Sequence, residues 1–223
     1  IEANDNYEVE SYTFSDFDKP VKNFNLVILH GLPSADNPAQ RLLTDLEAGN
    51  IPVWYISGIQ QSYTTFNRLQ AGLSIQASGT RNNDVEATPA ASFPLFTISD
   101  KLQSYISRLP ALAVPFGTVN VANSSTVLFN QKIGSLKTNY PLWVFGQQGE
   151  RKTAVLAGEG LWRWKLRDYA DHQNHDLFNE LVSKTVQYLS VKVDKSFFRI
   201  TAKGNYPENE PVMIDAEVYN DSY

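Results

Sequence analysis

Residues 26–34, LVILHGLPS, set His30 and Gly31 directly behind an apolar run. A strand ending in His-Gly is how many α/β-hydrolases begin their oxyanion loop. That chemistry also needs a serine on a G-x-S-x-G elbow between a later strand and helix. The nearest string, Gly72-Leu73-Ser74-Ile75-Gln76, lacks the last glycine and follows a helix-like stretch. Without the elbow no serine is held up to a base. His30 and Gly31 then read as a tight turn at the carboxyl edge of a sheet, where open α/β folds bind ligands. Residues 55–66, YISGIQQSYTTF, make a second strand–turn–helix, and its turn holds Gly58, Ile59, Gln60 and Gln61, none of them a competent nucleophile. Ser57 and Ser62 are hydroxyls, and Ser62 is explained by capping the helix.

Three further strings invite chemistry. His172-x-x-His175-Asp176, with Asp168 and Asp171 nearby, has metal-binding residue types. A zinc site wants three or four well-placed ligands, and only the distant His30 is left to add, so the segment reads as polar residues around a helix start. Gly158-Glu159-Gly160 follows an apolar run, but Arg163 stands where a dinucleotide fingerprint needs its third glycine. The most distinctive segment is 158–168, GEGLWRWKLRD. Read as an extended stretch, it puts Trp162 and Trp164 on one side and Arg163 on the other. Two readings stand: a buried plug over the sheet edge, or a platform for a ligand or partner on which Arg163 stacks. The candidate binding edge is therefore His30, Gly31, Gln60, Gln61, Glu159, Trp162, Arg163 and Trp164, with no catalytic set, no metal and no cofactor.

The elements that would position these residues follow from punctuation and period. The chain has 223 residues, 42% hydrophobic and 19% charged, enough apolar content for a core. Nineteen Lys and Arg against twenty-four Asp and Glu, with no basic block, argue against nucleic acid as a partner. There is no cysteine, which excludes disulfides and thiolate chemistry. No apolar run reaches a membrane span. Strands are expected at 7–14, 24–31 (buried on both faces), 51–57, within 118–134 as a pair, and around 141–157 as a hairpin. Helices are expected after Asn37, after Ser62, from Ser99 to Pro110, and at 175–190 with Phe178, Leu181, Val182, Thr185 and Leu189 inward. Residues 73–94 read as a long polar loop, and 158–175 match no regular period. Alternating strands and helices imply an α/β fold, a three-layer α/β/α sandwich with a mostly parallel sheet, over residues 1–192. Residues 193–223 read as the first two strands of a separate β-sandwich, 197–202 and 211–219.

GEGLWRWKL, with LHGLPS before it and NHDLFNELVSKTVQYLSVKVDKSFFRI after it, resembles the class I glutamine amidotransferase-like domains of membrane-anchored proteins common in Bacteroidetes. These often accompany a von Willebrand factor A-type domain and precede an immunoglobulin-like segment. The resemblance covers most of the chain. It implies a flavodoxin-like sheet whose first strand lies upstream of Ile1, and a chain that is a piece of a longer protein. True amidotransferases use a Cys–His–Glu triad. The turn at 58–61 has no Cys, and GEGLWRW stands where an H-x-E would, so the resemblance implies loss of the parent activity. It further implies a periplasmic, soluble part of an anchored protein, with protein partners in or near the membrane and membrane contact only through segments outside this chain. A homodimer through the C-terminal β segment fits the same picture. The expected function is a non-catalytic ligand- or partner-binding or scaffolding domain. The alternative is a hydrolase-type enzyme using Glu159 or His30 as base.

Overall fold

The run VWYI makes β2 (Val53–Ile56), buried along nearly its whole length, because it lies inside the sheet with neighbours on both sides. In the computed structural model, residues 1, 6–58, 60–191, 198–202 and 214–218 are described, the last two stretches by backbone alone. The other strands of the sheet are β1 (Val27–His30), β3 (Leu73–Pro89), β4 (Leu112–Val121), β5 (Thr126–Ile133), β6 (Leu136–Gln148) and β7 (Arg151–Leu156). Their spatial order is β1-β2-β7-β6-β5-β3-β4.

This sheet corrects the expected fold. β1 and β7 run parallel to β2, and the remaining pairs are antiparallel. The sheet is mixed and mostly antiparallel, not flavodoxin-like. The turns decide it. β6 and β7 meet at a tight turn in which Gln148 pairs with Arg151 and Gly149 takes a φ of 61°. β5 and β6 meet similarly, with Ile133 opposite Leu136 and Gly134 at φ 56°. Such short loops can only reverse the chain, whereas a parallel partner needs a crossover of a dozen residues or more.

Other expectations also change. The expected loop at 73–94 is largely β3, which pairs with both β4 and β5 and so separates the two strands expected to pair with each other. Its middle is exposed and its register shifts between Ala77 and Asn82. Gly117 of β4 lies so close to it that a Cβ there would stand 2.0 Å from the Gln76 carbonyl oxygen, at a φ of 151°. Only glycine fits. β1 is an edge strand, not one buried on both faces: Leu29 is buried while Ile28 and His30 are exposed. Residues 7–14 form no strand; single 3₁₀ turns stand at Phe14–Asp16 and Val21–Asn23.

The helices are α1 (Gln40–Ala48), α2 (Tyr63–Arg68), α3 (Asp100–Tyr105), α4 (Trp162–His172) and α5 (Asp176–Ser190). Alternating strand residues feed two cores. Val53, Tyr55, Val144 and Val155 pack with Leu43 and Leu46 of α1 and Phe66 of α2. Trp54, Trp143, Phe145, Ala154 and Leu156 pack with Leu102 of α3, Trp164 of α4 and Leu177, Leu181, Val186 and Leu189 of α5. Within the second core Trp54 stacks on Trp143 with centroids 5.2 Å apart, and Trp164 lies 6.3 Å beyond.

The chain divides into two compact units, Ile1–Ser190 and Val191–Tyr223. The second contains β8 (Phe198–Ala202) and β9 (Ile214–Val218), an antiparallel pair with Phe198 opposite Val218. Phe197, Val212 and the other expected strand residues at 211–213 and 219 lie outside the described residues.

Candidate functional site

The carboxyl ends of β1, β2 and β7 lie side by side, and the turns that follow them form the edge at which ligands were expected. Gly31, at φ 70°, donates its N–H to the Ile56 carbonyl at 2.8 Å. A Cβ on Gly58 would meet the Gly31 Cα at 2.8 Å, so the two turns touch through glycine backbone. Gln61 is buried at 7% exposure and bolts them together: its Nε2 donates to the Leu32 carbonyl at 3.2 Å and its Oε1 accepts from the Gly58 N–H at 3.3 Å. The Ala35 N–H reaches the Gln60 carbonyl at 3.1 Å, and the Ser62 N–H reaches the Pro33 carbonyl at 2.8 Å. Gln60 is exposed, and Ile59 lies outside the described residues. The turn where a nucleophile was sought is thus a clasp between loops.

Glu159 belongs to a second clasp. Its backbone exchanges both hydrogen bonds with Ala113 of β4, each at 2.9 Å. The glycines beside it serve this approach: a Cβ on Gly158 would press on Leu112 and Val114 at 2.9 and 3.0 Å, and Gly160 sits at φ 107° beneath the Arg163 side chain. The Gly-x-Gly string therefore has a packing cause. Oε2 of Glu159 is buried with no hydrogen-bond partner. The Tyr63 phenol is pushed up to about 12, chiefly by burial, with the Glu159 charge adding to it. His30 is exposed at the end of β1. Among the described residues no hydrogen bond joins His30, Glu159 and a serine hydroxyl.

The segment expected to be extended is a helix, and this separates its tryptophans. Two positions apart in a strand share a side; in a helix they stand about 200° apart. Trp164 is 1% exposed and its Nε1 donates to the Pro110 carbonyl at 2.7 Å. Trp162 is 58% exposed. The plug and the platform are therefore two different residues. The Arg163 guanidinium lies 5.5 Å from the Trp162 ring centroid and donates to the Ala111 carbonyl at 3.2 Å, so the exposed indole is held by a cation that is itself tied down.

The polar residues from Asp168 to Asp176, across the end of α4 and the start of α5, are structural. Asp168, fully buried, accepts from the Phe178 N–H in the first turn of α5 at 2.9 Å and binds His172 Nδ1 at 2.8 Å through its other oxygen. His175 pairs instead with the Lys165 carbonyl at 3.1 Å and packs at a tilt against the Tyr169 ring. The two histidines serve different partners, and among the described residues no group of three His, Asp or Glu could hold a metal ion. Sequence reasoning missed the importance of Asp168. The signal was its spacing of four from His172, which means contact only once the segment is helical. A cavity of about 10 Å³, room for one water, lies among Leu102, Tyr105, Trp164, Asp168 and Leu181, away from the candidate edge. No described helix is long and apolar enough to cross a membrane.

No family model matches the chain, and no curated protein matches it. Among solved structures it is similar to the cytoplasmic protein STM3548 of Salmonella typhimurium at 14% identity, covering 76% of this chain and 73% of that one, with a TM-score of 0.47. The cytoplasmic protein STM1381 of Salmonella typhimurium LT2 follows at 13% identity, 74% and 76% coverage and a TM-score of 0.45. The alpha-L-fucosidase isoenzyme 2 of Paenibacillus thiaminolyticus matches 83% of this chain but 27% of its own length, at 12% identity and a TM-score of 0.44.

Proposed function

We propose that this domain is a non-catalytic binding module that engages a protein partner through the outer side of α4, beginning at Trp162. The observation that carries this reading is Trp162 itself: a large indole, mostly in solvent, stacked by an anchored guanidinium. Exposing such a side chain is costly, and Trp and Arg are the residue types that dominate binding hot spots. The edge residues support the same reading from the other direction. Gln61 is spent on two backbone groups, and the Glu159 backbone is locked to β4.

The orphaned oxygen of Glu159 favours a second reading, a hydrolytic site with Glu159 as base. A panel of ester, amide and glycoside substrates, with glutamine added for ammonia release, separates the two. The binding reading expects no turnover above a denatured control. Turnover that disappears in Glu159→Gln overturns it. In parallel, a photoreactive residue at position 162 is expected to form adducts in its native host, and one at position 41 on α1 is not.

A further inference from the structure

Resting on that reading, we infer that the outer face of α4 is a docking ridge for a short amphipathic helical segment whose apolar stripe is flanked by acidic residues. Trp162, Leu166 and Tyr169 are 58%, 57% and 48% exposed. They stand at i, i+4 and i+7 on α4, so they form a single apolar stripe on the side opposite Trp164 and Asp168. A helix that buries one apolar side chain, Trp164, while holding three large apolar ones in solvent has more apolar surface than its own fold uses.

The charges around the stripe select the partner. Arg163 and Lys165 are exposed and project to either side of it, about 100° and 60° around the helix from Trp162. The acidic residues of α4 do not offset them: Asp168 is buried against α5, and Asp171 is bound to Arg167 at 3.0 Å and to the Tyr105 hydroxyl at 2.9 Å. The chain as a whole carries −5, so a positive rim here is a local departure from its charge. An apolar ridge with a cationic rim is complementary to an apolar stripe with an anionic rim.

The size selects a segment over a globular partner or a second copy. Half of three large side chains amounts to roughly 300 Å², against ~800 Å² per partner in a stable dimer. The ridge is also pre-shaped, since Arg163 lies on Trp162 and the His175 ring packs at a tilt against Tyr169 at 5.2 Å. A fixed relief suits a partner of defined shape better than a lipid surface, and two rim cations with three apolar side chains fall short of stable membrane attachment.

The test is calorimetric and NMR titration of the full chain. The probe is a synthetic helix-forming peptide of roughly 16 residues with leucines at i, i+3, i+4 and i+7 and glutamates beside them. Its controls are a scrambled peptide of the same composition and a version with lysine in place of glutamate. Saturable binding is expected, weakened by salt, absent for both controls, and reduced about tenfold or more by Trp162→Ala and by Leu166→Glu, with Trp162→Phe retaining most of it. Both positions are exposed, so unchanged melting will show that the variants fold. Equal binding of the scrambled peptide, full binding by both variants, or no binding at all overturns the inference. So does co-sedimentation with phosphatidylglycerol vesicles without peptide binding, or self-association of the chain that Trp162→Ala abolishes. Adducts from position 162 with no peptide binding would defeat this inference and leave the binding reading standing; no adducts and no peptide binding would end both.

Discussion

Two tryptophans separated by one residue have opposite fates, and their energetics must differ accordingly. Trp164→Ala removes a buried indole and orphans the Pro110 carbonyl. A loss of about 3–5 kcal/mol is expected, read by chemical denaturation. Trp162→Ala is expected to stay within about 0.5 kcal/mol of wild type, as exposed positions do. If Trp162→Ala were the more damaging of the two, the helical placement of this segment would be wrong. At the edge, Gln61→Ala removes the side-chain partner of the half-buried Gly58 N–H and Leu32 carbonyl, which is expected to cost about 1 kcal/mol in the same assay. A glutamine in the place where a nucleophile was sought is thus explained by two backbone groups that need it. Glutamine side chains of this kind cannot be recognised in sequence, because the loops they join, at 32 and 58, are far apart along the chain.

Elements with unbroken local signals were legible. Ser99 caps α3, accepting from the Leu102 N–H at 3.1 Å, and α5 buries Leu181, Val182, Thr185 and Leu189 of its expected stripe, with Phe178 partly buried against the same core. The turn between β6 and β7 also stands where Gln147 to Arg151 placed it. What failed did so for identifiable reasons. α4 hid because Trp162, Leu166 and Tyr169 put apolar residues on the solvent side, blurring the period that Trp164 alone could not restore. β3 hid because its middle is exposed and polar, so the alternation survives only at Leu73, Ile75, Val85 and Ala87. The sheet direction hid because strand and helix alternate early in the chain, around β1, α1, β2 and α2, and that local pattern does not extend to β5, β6 and β7, which meet through short turns. The first unit holds both cores within residues 1–190. Deleting residues 191–223 is therefore expected to leave a cooperative unfolding transition and mixed helix and strand circular dichroism. A truncated chain without a transition would make the division at 190 false.

At the scale of the molecule, stability should weaken in alkali as buried phenols give up their protons. Tyr55, 1% exposed between the sheet and α2, has its phenol pushed up to about 12, chiefly by burial. In the unfolded chain a tyrosine titrates near 10. The folded state thus holds the proton more tightly. The contribution is complete below about pH 10 and is lost as pH rises through about 12, a loss on the order of 3 kcal/mol. Urea titrations across that window are expected to show the decline in wild type and a shallower one in Tyr55→Phe. A decline of equal depth in both would remove Tyr55 as its cause.

The tryptophan stack gives the molecule a divided optical signature. Trp54 and Trp143 stack at 5.2 Å with planes 25° apart, and Trp164 continues the row at 6.3 Å. Transition dipoles held so close couple, splitting the strong far-ultraviolet indole band in circular dichroism and passing excitation among the three buried rings. Trp162, the remaining indole of the four, emits outside that row and towards the red, within reach of dissolved acrylamide. Collisional quenching in the native state therefore reads the outer side of α4 alone, while loss of the split band reads the core, so a single chromophore type monitors the helix surface and the buried sheet face independently.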